Sequence, residues 1–134
     1  MALLITDPVV FRRDTNGDLI FPLQLATGIE AVGIGIRTRL LMFRGEWFLN
    51  LDVGIPYLET ADGTVPERNA WIGGKLDPVR IRADVLREIL TTPGVFDVPT
   101  LRLDYDGGTR TLSIDWVART RFGDTPPDTL QLDV

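Results

Sequence analysis

The sequence predicts an α+β fold: two helices packed on an antiparallel sheet of about four strands, in the order β-β-α-loop-α-β-β. Three observations lead there. Asn16-Gly17 and Asp106-Gly107-Gly108-Thr109 each separate two strand-like runs, so a hairpin stands toward each end of the chain. Two segments between them repeat apolar residues at gaps of three and four, the helical period. A length of 134 residues with 44% hydrophobic content suits a single domain with a real core.

The elements follow in order. Val9 to Arg13 and Leu19 to Leu25 are the first two strands, and Asn-Gly supplies the positive φ angles of their turn. Pro22 has no amide hydrogen, which puts its strand at an edge or a bulge. Thr27-Gly28-Ile29-Glu30 has capping-box form, a hydroxyl with a carboxylate three residues on. Ile29, Val32, Ile36, Leu40 and Phe43 then make one face of a helix over 28–44. Arg37, Arg39 and Arg44 gather at its C-terminal end, and Gly45 suits the C′ position. Gly33 and Gly35 lie within this helix and suit close packing, not a phosphate loop. Residues 59–75 read as a long surface loop. Its Trp71-Ile72 is an apolar plug, suited to packing back on the domain or to a partner contact.

Asp77-Pro78 is an N-cap followed by proline at N1. Val79, Arg82, Val85, Leu86, Ile89 and Leu90 define the second helix, and Thr91-Thr92-Pro93-Gly94 stops it. Val95 to Tyr105 and Arg110 to Arg121 form the closing hairpin. There Leu101, Leu103 and Tyr105 share a face, as do Leu112, Ile114 and Trp116. The domain is expected over 1–123, with 124–134 an extended tail that Pro126-Pro127 breaks from the sheet. The last five residues suit one more short strand, alone or on a neighbour.

Composition narrows the function. A net charge of −5 argues against a nucleic-acid surface and against docking on an anionic membrane. The chain has no cysteine and no histidine, which excludes disulfides, thiolate chemistry and histidine-based triads, and removes the commonest zinc ligands. Met1 to Pro8 lacks a basic n-region and is expected not to be a signal peptide. No window approaches the roughly 18 apolar residues of a membrane span.

The segment Gly45-Glu46-Trp47-Phe48-Leu49-Asn50-Leu51-Asp52-Val53-Gly54-Ile55-Pro56-Tyr57 fits neither simple helix nor simple strand. Its carboxylates allow one enzymatic reading. Glycoside hydrolysis needs two carboxyl groups flanking a sugar bond, and Glu46 with Asp52 would supply them for peptidoglycan. The structural alternative has Glu46 paired with an arginine such as Arg44, or accepting backbone N–H bonds. A polysaccharide cleft would also need exposed aromatics, whereas most aromatics here sit at core-like positions. Asp104-Tyr105-Asp106-Gly107-Gly108 echoes a calcium loop but lacks its remaining ligands and closing glutamate, so it reads as a hairpin turn.

The ordered blocks Arg39-Leu40-Leu41-Met42-Phe43-Arg44-Gly45-Glu46-Trp47-Phe48-Leu49, Gly54-Ile55-Pro56-Tyr57, Pro93-Gly94-Val95 and Trp116-Val117-Ala118-Arg119-Thr120-Arg121-Phe122-Gly123 resemble the phage baseplate wedge and sheath-initiator family of contractile tails. A component of the type VI secretion baseplate is a distant relative. The resemblance covers about residues 7–123. It implies a structural, non-enzymatic protein without cofactor or metal. Such a protein is made in the host cytoplasm and placed in the virion baseplate, in six copies around the tail tube. Its implied partners are wedge proteins, the sheath protein and tube or hub proteins. Its implied mechanism is a sheet edge that sheath subunits extend by strand addition. The expected edges are Arg110 to Arg121 and the N-terminal hairpin. Glu46 takes the position of the family's acidic wedge contact, and Trp47-Phe48 stand where many members carry Pro-Arg or Arg-Val. That departure points to aromatic packing in place of an arginine contact. Some members carry a lysozyme label, which these residues support little. The partner-binding residues expected are Arg44, Glu46, Trp47, Phe48, Asp52, Tyr57, Trp71 and Trp116.

Overall fold

A computed structural model describes residues 8–72 and 76–134. Strands β1 (Val9–Phe11) and β2 (Leu25–Thr27) form a two-stranded antiparallel sheet and lead into helix α1 (Gly28–Leu41). A long irregular stretch carries one 3-10 turn, Glu67–Asn69, before helix α2 (Pro78–Leu90). Strands β3 (Val95–Asp106), β4 (Thr111–Thr120), β5 (Gly123–Asp124) and β6 (Asp128–Asp133) then build a four-stranded antiparallel sheet. The expected α+β class and element order hold, with the strands divided between two sheets.

The N-terminal hairpin is looser than its sequence suggests. Its ladder runs only from Val9↔Thr27 to Phe11↔Leu25, and Leu19 joins through a single bridge to Arg13. The Asp14 carboxylate holds the turn by accepting from the amides of Asn16 (2.8 Å) and Asp18 (3.0 Å). Pro22 lies in a bend outside both strands, where its missing amide hydrogen breaks no ladder.

Helix α1 starts where expected but without the expected cap. Thr27 has extended N-cap geometry and no side-chain cap bond. Glu30 instead takes two bonds from Arg12, at 2.7 and 2.9 Å, and ties the hairpin to the helix. The helix stops at Leu41, short of Arg44, because Met42 is extended and turns its carbonyl to the Ile55 amide at 2.8 Å. Gly45 does adopt positive φ, but within the loop beyond. Gly35 permits the close approach of α2's end: a Cβ there would sit 3.3 Å from Thr92 Cγ2, whereas Gly33 faces nothing within 4 Å.

Helix α2 follows its start signals. The Asp77 carboxylate accepts from the Val79 and Arg80 amides, and Pro78 occupies the first turn. Its buried stripe is Ile81, Val85, Glu88 and Ile89; Val79 and Leu90 face outward.

Strand β4 is the centre of the main sheet, which corrects its expected role as an edge. It pairs with β3 on one side and with β5 and β6 on the other. The C-terminal residues therefore complete the domain's own sheet, and Pro126-Pro127 separate β5 from β6 instead of parting the tail from the sheet. Alternate residues Leu112, Ile114, Trp116 and Ala118 are buried against Val32, Ile36, Leu40, Val85 and Ile89 of the helices. At the β3–β4 turn the Asp106 carboxylate accepts from the Gly108 amide at 2.9 Å, so this aspartate serves as a turn residue. Among the described residues, no helix is long and apolar enough to cross a membrane.

Trp116 is 1% exposed and is the largest fully buried side chain. Trp116→Ala is expected to cost ~3–5 kcal/mol in chemical denaturation. Val79→Ala, at a residue 79% exposed, should stay within about 0.5 kcal/mol.

Candidate interaction surface

The segment after α1 is a closed loop. Phe43 and Ile55 form a parallel bridge, and the Arg44 amide donates to the Ile55 carbonyl at 2.9 Å. These bonds clamp the two ends together. Between them the chain runs through turns, with the Gly45 amide on the Leu51 carbonyl (2.9 Å) and the Asn50 amide on Trp47 (3.0 Å). A short excursion whose ends meet is an Ω-type loop, a common carrier of surface function.

Gly54 makes the clamp possible. Its φ is +106°, and a Cβ there would lie 2.6 Å from the Met42 carbonyl oxygen. Its amide donates to Glu88 Oε2 at 3.1 Å. Glu88 is 1% exposed, on the inner stripe of α2. Its carboxylate also lies 3.9 Å from an Arg39 nitrogen and 3.7 Å from Arg44 Nη2. One buried carboxylate thus joins α1, the loop and α2.

The electrostatics of this knot are tense. Burial pushes the Glu88 carboxyl above its ordinary range, against the Gly54 amide and the charges of Arg39, Arg44 and Arg87. Burial likewise pulls the Arg44 guanidinium down, and Arg87 adds repulsion; Asp84, Glu88 and Asp52 oppose this. Arg44 Nε donates to the Gly54 carbonyl at 3.1 Å, while its buried Nη2 makes no hydrogen bond.

Behind the loop lies an aromatic stack. Phe43 and Tyr57 have ring centroids 5.0 Å apart, and Tyr57 meets Trp71 edge-on at 5.2 Å. The Tyr57 hydroxyl donates to the Leu40 carbonyl, and burial raises its pKa. Trp71 Nε1 donates to Asp84 of α2 at 2.9 Å. The amides of Trp71 and Ile72 donate to Pro56 and Tyr57, each at 2.9 Å, so the long 59–72 stretch returns and fastens to the loop's base.

The eight expected partner-binding residues therefore separate. Tyr57, Trp71 and Trp116 are buried in the core, filled by the domain's own packing. Arg44 is committed to Glu88 and Gly54. Glu46, Trp47, Phe48 and Asp52 are exposed. Glu46 accepts from the Phe43 amide at 3.3 Å, the backbone role that was the alternative to catalysis. Phe48 and Leu49 form the loop tip, at 82% and 68% exposure.

Glu46 and Trp47 line a cavity of about 750 Å³ over the second half of α1. The hairpin turn Arg13–Gly17 forms another wall, Ile34, Arg37 and Leu41 come from α1, and Leu130 comes from β6. Asp52 is not among the lining residues, so the carboxylates paired in the hydrolase reading do not share this cavity. Glu88, Arg39 and Gly54 were missed as organising residues. The signal was present: Glu88 is seven residues from Ile81, on the stripe that also holds Val85 and Ile89.

Replacing Glu88 tests the knot. Glu88→Ala leaves the buried Gly54 amide without its acceptor and removes the carboxylate facing the partly buried Arg39 and Arg44, and should cost about 1–3 kcal/mol. Glu88→Gln keeps an acceptor and should cost less. The folded-state pKa of Glu88 lies above its unfolded value of 4.5. Its contribution is therefore full below that value and is lost as pH rises through the folded pKa. Stability curves against pH should show the Gln variant gaining on the wild type over that rise. Gly54→Ala should cost more than about 1 kcal/mol.

A model of the contractile injection system sheath initiator family matches residues 9–123, spanning both helices, the clamped loop and the β3–β4 hairpin. No curated protein matches the chain. Strand β6 lies beyond the matched residues. With most of its length covered, the chain belongs to the sheath initiators of contractile injection systems.

Proposed function

We propose that this sheath initiator is anchored in a tail baseplate by its apolar loop tip and offers the β6 edge to the first sheath subunit. The observation that carries the reading is the state of the sheet's two edges. Strand β3 contains Pro99 and loses register between Val95 and Asp97 and again between Asp97 and Thr100. Proline and bulges are devices that blunt an edge against pairing. Strand β6 is regular over its whole ladder with β4.

The phase of that ladder identifies the open groups. The Val134 amide donates to the Arg110 carbonyl at 2.9 Å. Bonded and non-bonded pairs alternate along an antiparallel ladder. Leu132, Leu130 and Asp128 therefore bond inward to β4, and Thr129, Gln131 and Asp133 turn their backbone groups outward. An added strand would bond to these residues and set alternate side chains toward the adjoining cavity. Main-chain bonds would supply affinity and the cavity would supply register.

The loop tip suits a different partner. Trp47, Phe48, Leu49 and Leu51 are all at least 40% exposed on one short loop. A rigid, clamped apolar tip is suited to anchoring in a pocket. In this reading the pocket belongs to a wedge protein, and six copies surround the tail tube of a virion. Glu46, on the same loop, adds a rim charge, and the chain acts by assembly without catalysis.

Two substitutions separate the surfaces. Gln131→Pro removes an outward amide without breaking a ladder bond to β4. It should fold normally and lose the ability to shorten the lag of sheath polymerisation, followed by light scattering. Phe48→Asp should keep its thermal midpoint and lose retention on purified wedge proteins. Normal nucleation by folded Gln131→Pro would exclude the β6 edge.

A further inference from the structure

The two edges of the main sheet share a feature that neither packing nor the family match accounts for. Arg37 of α1 donates from Nη1 to the Thr129 carbonyl at 3.1 Å. Arg82 of α2 donates from Nη1 to the Leu101 carbonyl at 2.9 Å. Thr129 is on one edge and Leu101 is on the other.

Both carbonyls face outward. On β6 this follows from the phase already given. On β4, residues that bond to β6 are the even-numbered ones from Arg110 to Trp116, so Thr111, Ser113 and Asp115 bond to β3. Their partners are Asp106, Asp104 and Arg102. Leu101, Leu103 and Tyr105 are then the β3 residues whose backbone groups point away from the sheet. The two carbonyls also lie at one level: Leu101 pairs with Trp116, and Thr129 pairs with the adjacent Asp115. Each helix thus places one guanidinium on one open edge at the same height.

We infer that Arg37 and Arg82 are edge guards, which occupy the outward carbonyls of Thr129 and Leu101 and keep the sheet from pairing with a second copy of this chain. An unpaired edge is a template for indiscriminate pairing, and a charged side chain seated on it opposes that. A charge-assisted bond to a carbonyl is stronger than the neutral amide bond that a strand would offer in its place. Arg37 is further held by Asp128, at 3.4 Å from its Oδ1. Gln131 and Asp133 stay open below it. A strand that pairs there and continues to Thr129 must displace Arg37, so only a partner with additional contacts completes the ladder. This last consequence rests on the proposed reading of β6 as the sheath-binding edge; the guarding of the sheet against its own copies does not.

Sedimentation velocity of the full chain over a concentration series tests the guards. The wild type should sediment as a monomer. Arg37→Met and Arg82→Met keep the aliphatic stem, remove the donor and should each strengthen self-association about tenfold, the worth of one charge-assisted bond. The double variant should show an intermolecular β-sheet band in the infrared. Arg37→Lys and Arg82→Lys retain a charged donor and should stay near the wild type. A double Met variant that is folded by circular dichroism and as monomeric as the wild type would overturn the inference. So would a wild type that already associates as strongly. If the double variant does not fold, Asp128→Asn loosens Arg37 without removing it; increased self-association supports the guard and an unchanged monomer overturns it. Self-association of the Met variants with sheath onset unchanged would leave the guard standing and refute the β6 reading alone.

Discussion

The buried carboxylate of Glu88 is the constraint around which this domain is arranged. A carboxylate removed from water is tolerable only with hydrogen bonds and opposite charge around it. Here those come from three places: the Gly54 amide, Arg39 of α1 and Arg44 just beyond α1. Satisfying one side chain therefore fixes the distance between the helices and the path of the chain leaving α1. The helix ends early at Leu41 because the next residues must turn toward Ile55 and Gly54. Apolar packing alone would hold α1 on α2 but would not specify this exit.

That exit decides which aromatic residues are inside. Once Phe43 and Ile55 are bridged, Tyr57 is carried into the core and stacks with Trp71, whose indole is fastened to Asp84. The same closure throws Trp47, Phe48 and Leu49 outward on the loop. Their exposure is thus a result of the backbone closure between Phe43 and Ile55. Both the ends and the base of the loop are bonded, so the proposed docking at its tip would carry a small ordering cost.

The sheet presents the opposite problem. Its centre, β4, is buried by the helices on one face and saturated with hydrogen bonds on both sides, while its edges retain outward backbone groups. On β3 the edge is interrupted by Pro99 and register shifts. On β6 it is regular and borders a cavity. The proposed pairing of sheath with β6 rests on this asymmetry: a strand can add to a regular edge, whereas proline and register shifts oppose pairing along β3.

Local chemistry alone determined much of this protein. Asp77-Pro78 set the start of α2, Asn16-Gly17 set a turn, and alternation along Leu112, Ile114 and Trp116 set the buried face of β4, because capping, positive φ and period-two patterning act within a few residues. The segment 45–57 was identifiable as a shaped element for the same reason. The tertiary structure decided what depends on distant partners. Thr27 lost its capping box because Arg12, brought close by the hairpin, competes for Glu30. Residues 128–133 became a strand because the outer side of β4 was open to them despite the preceding prolines. Glu88, an ordinary helix carboxylate in sequence, became the organising residue because Gly54, thirty-four positions away, presents it an amide. A residue's propensity is local, whereas its burial and its partners are properties of the packed chain, and only the latter separated Tyr57 and Trp71 from Trp47 and Phe48.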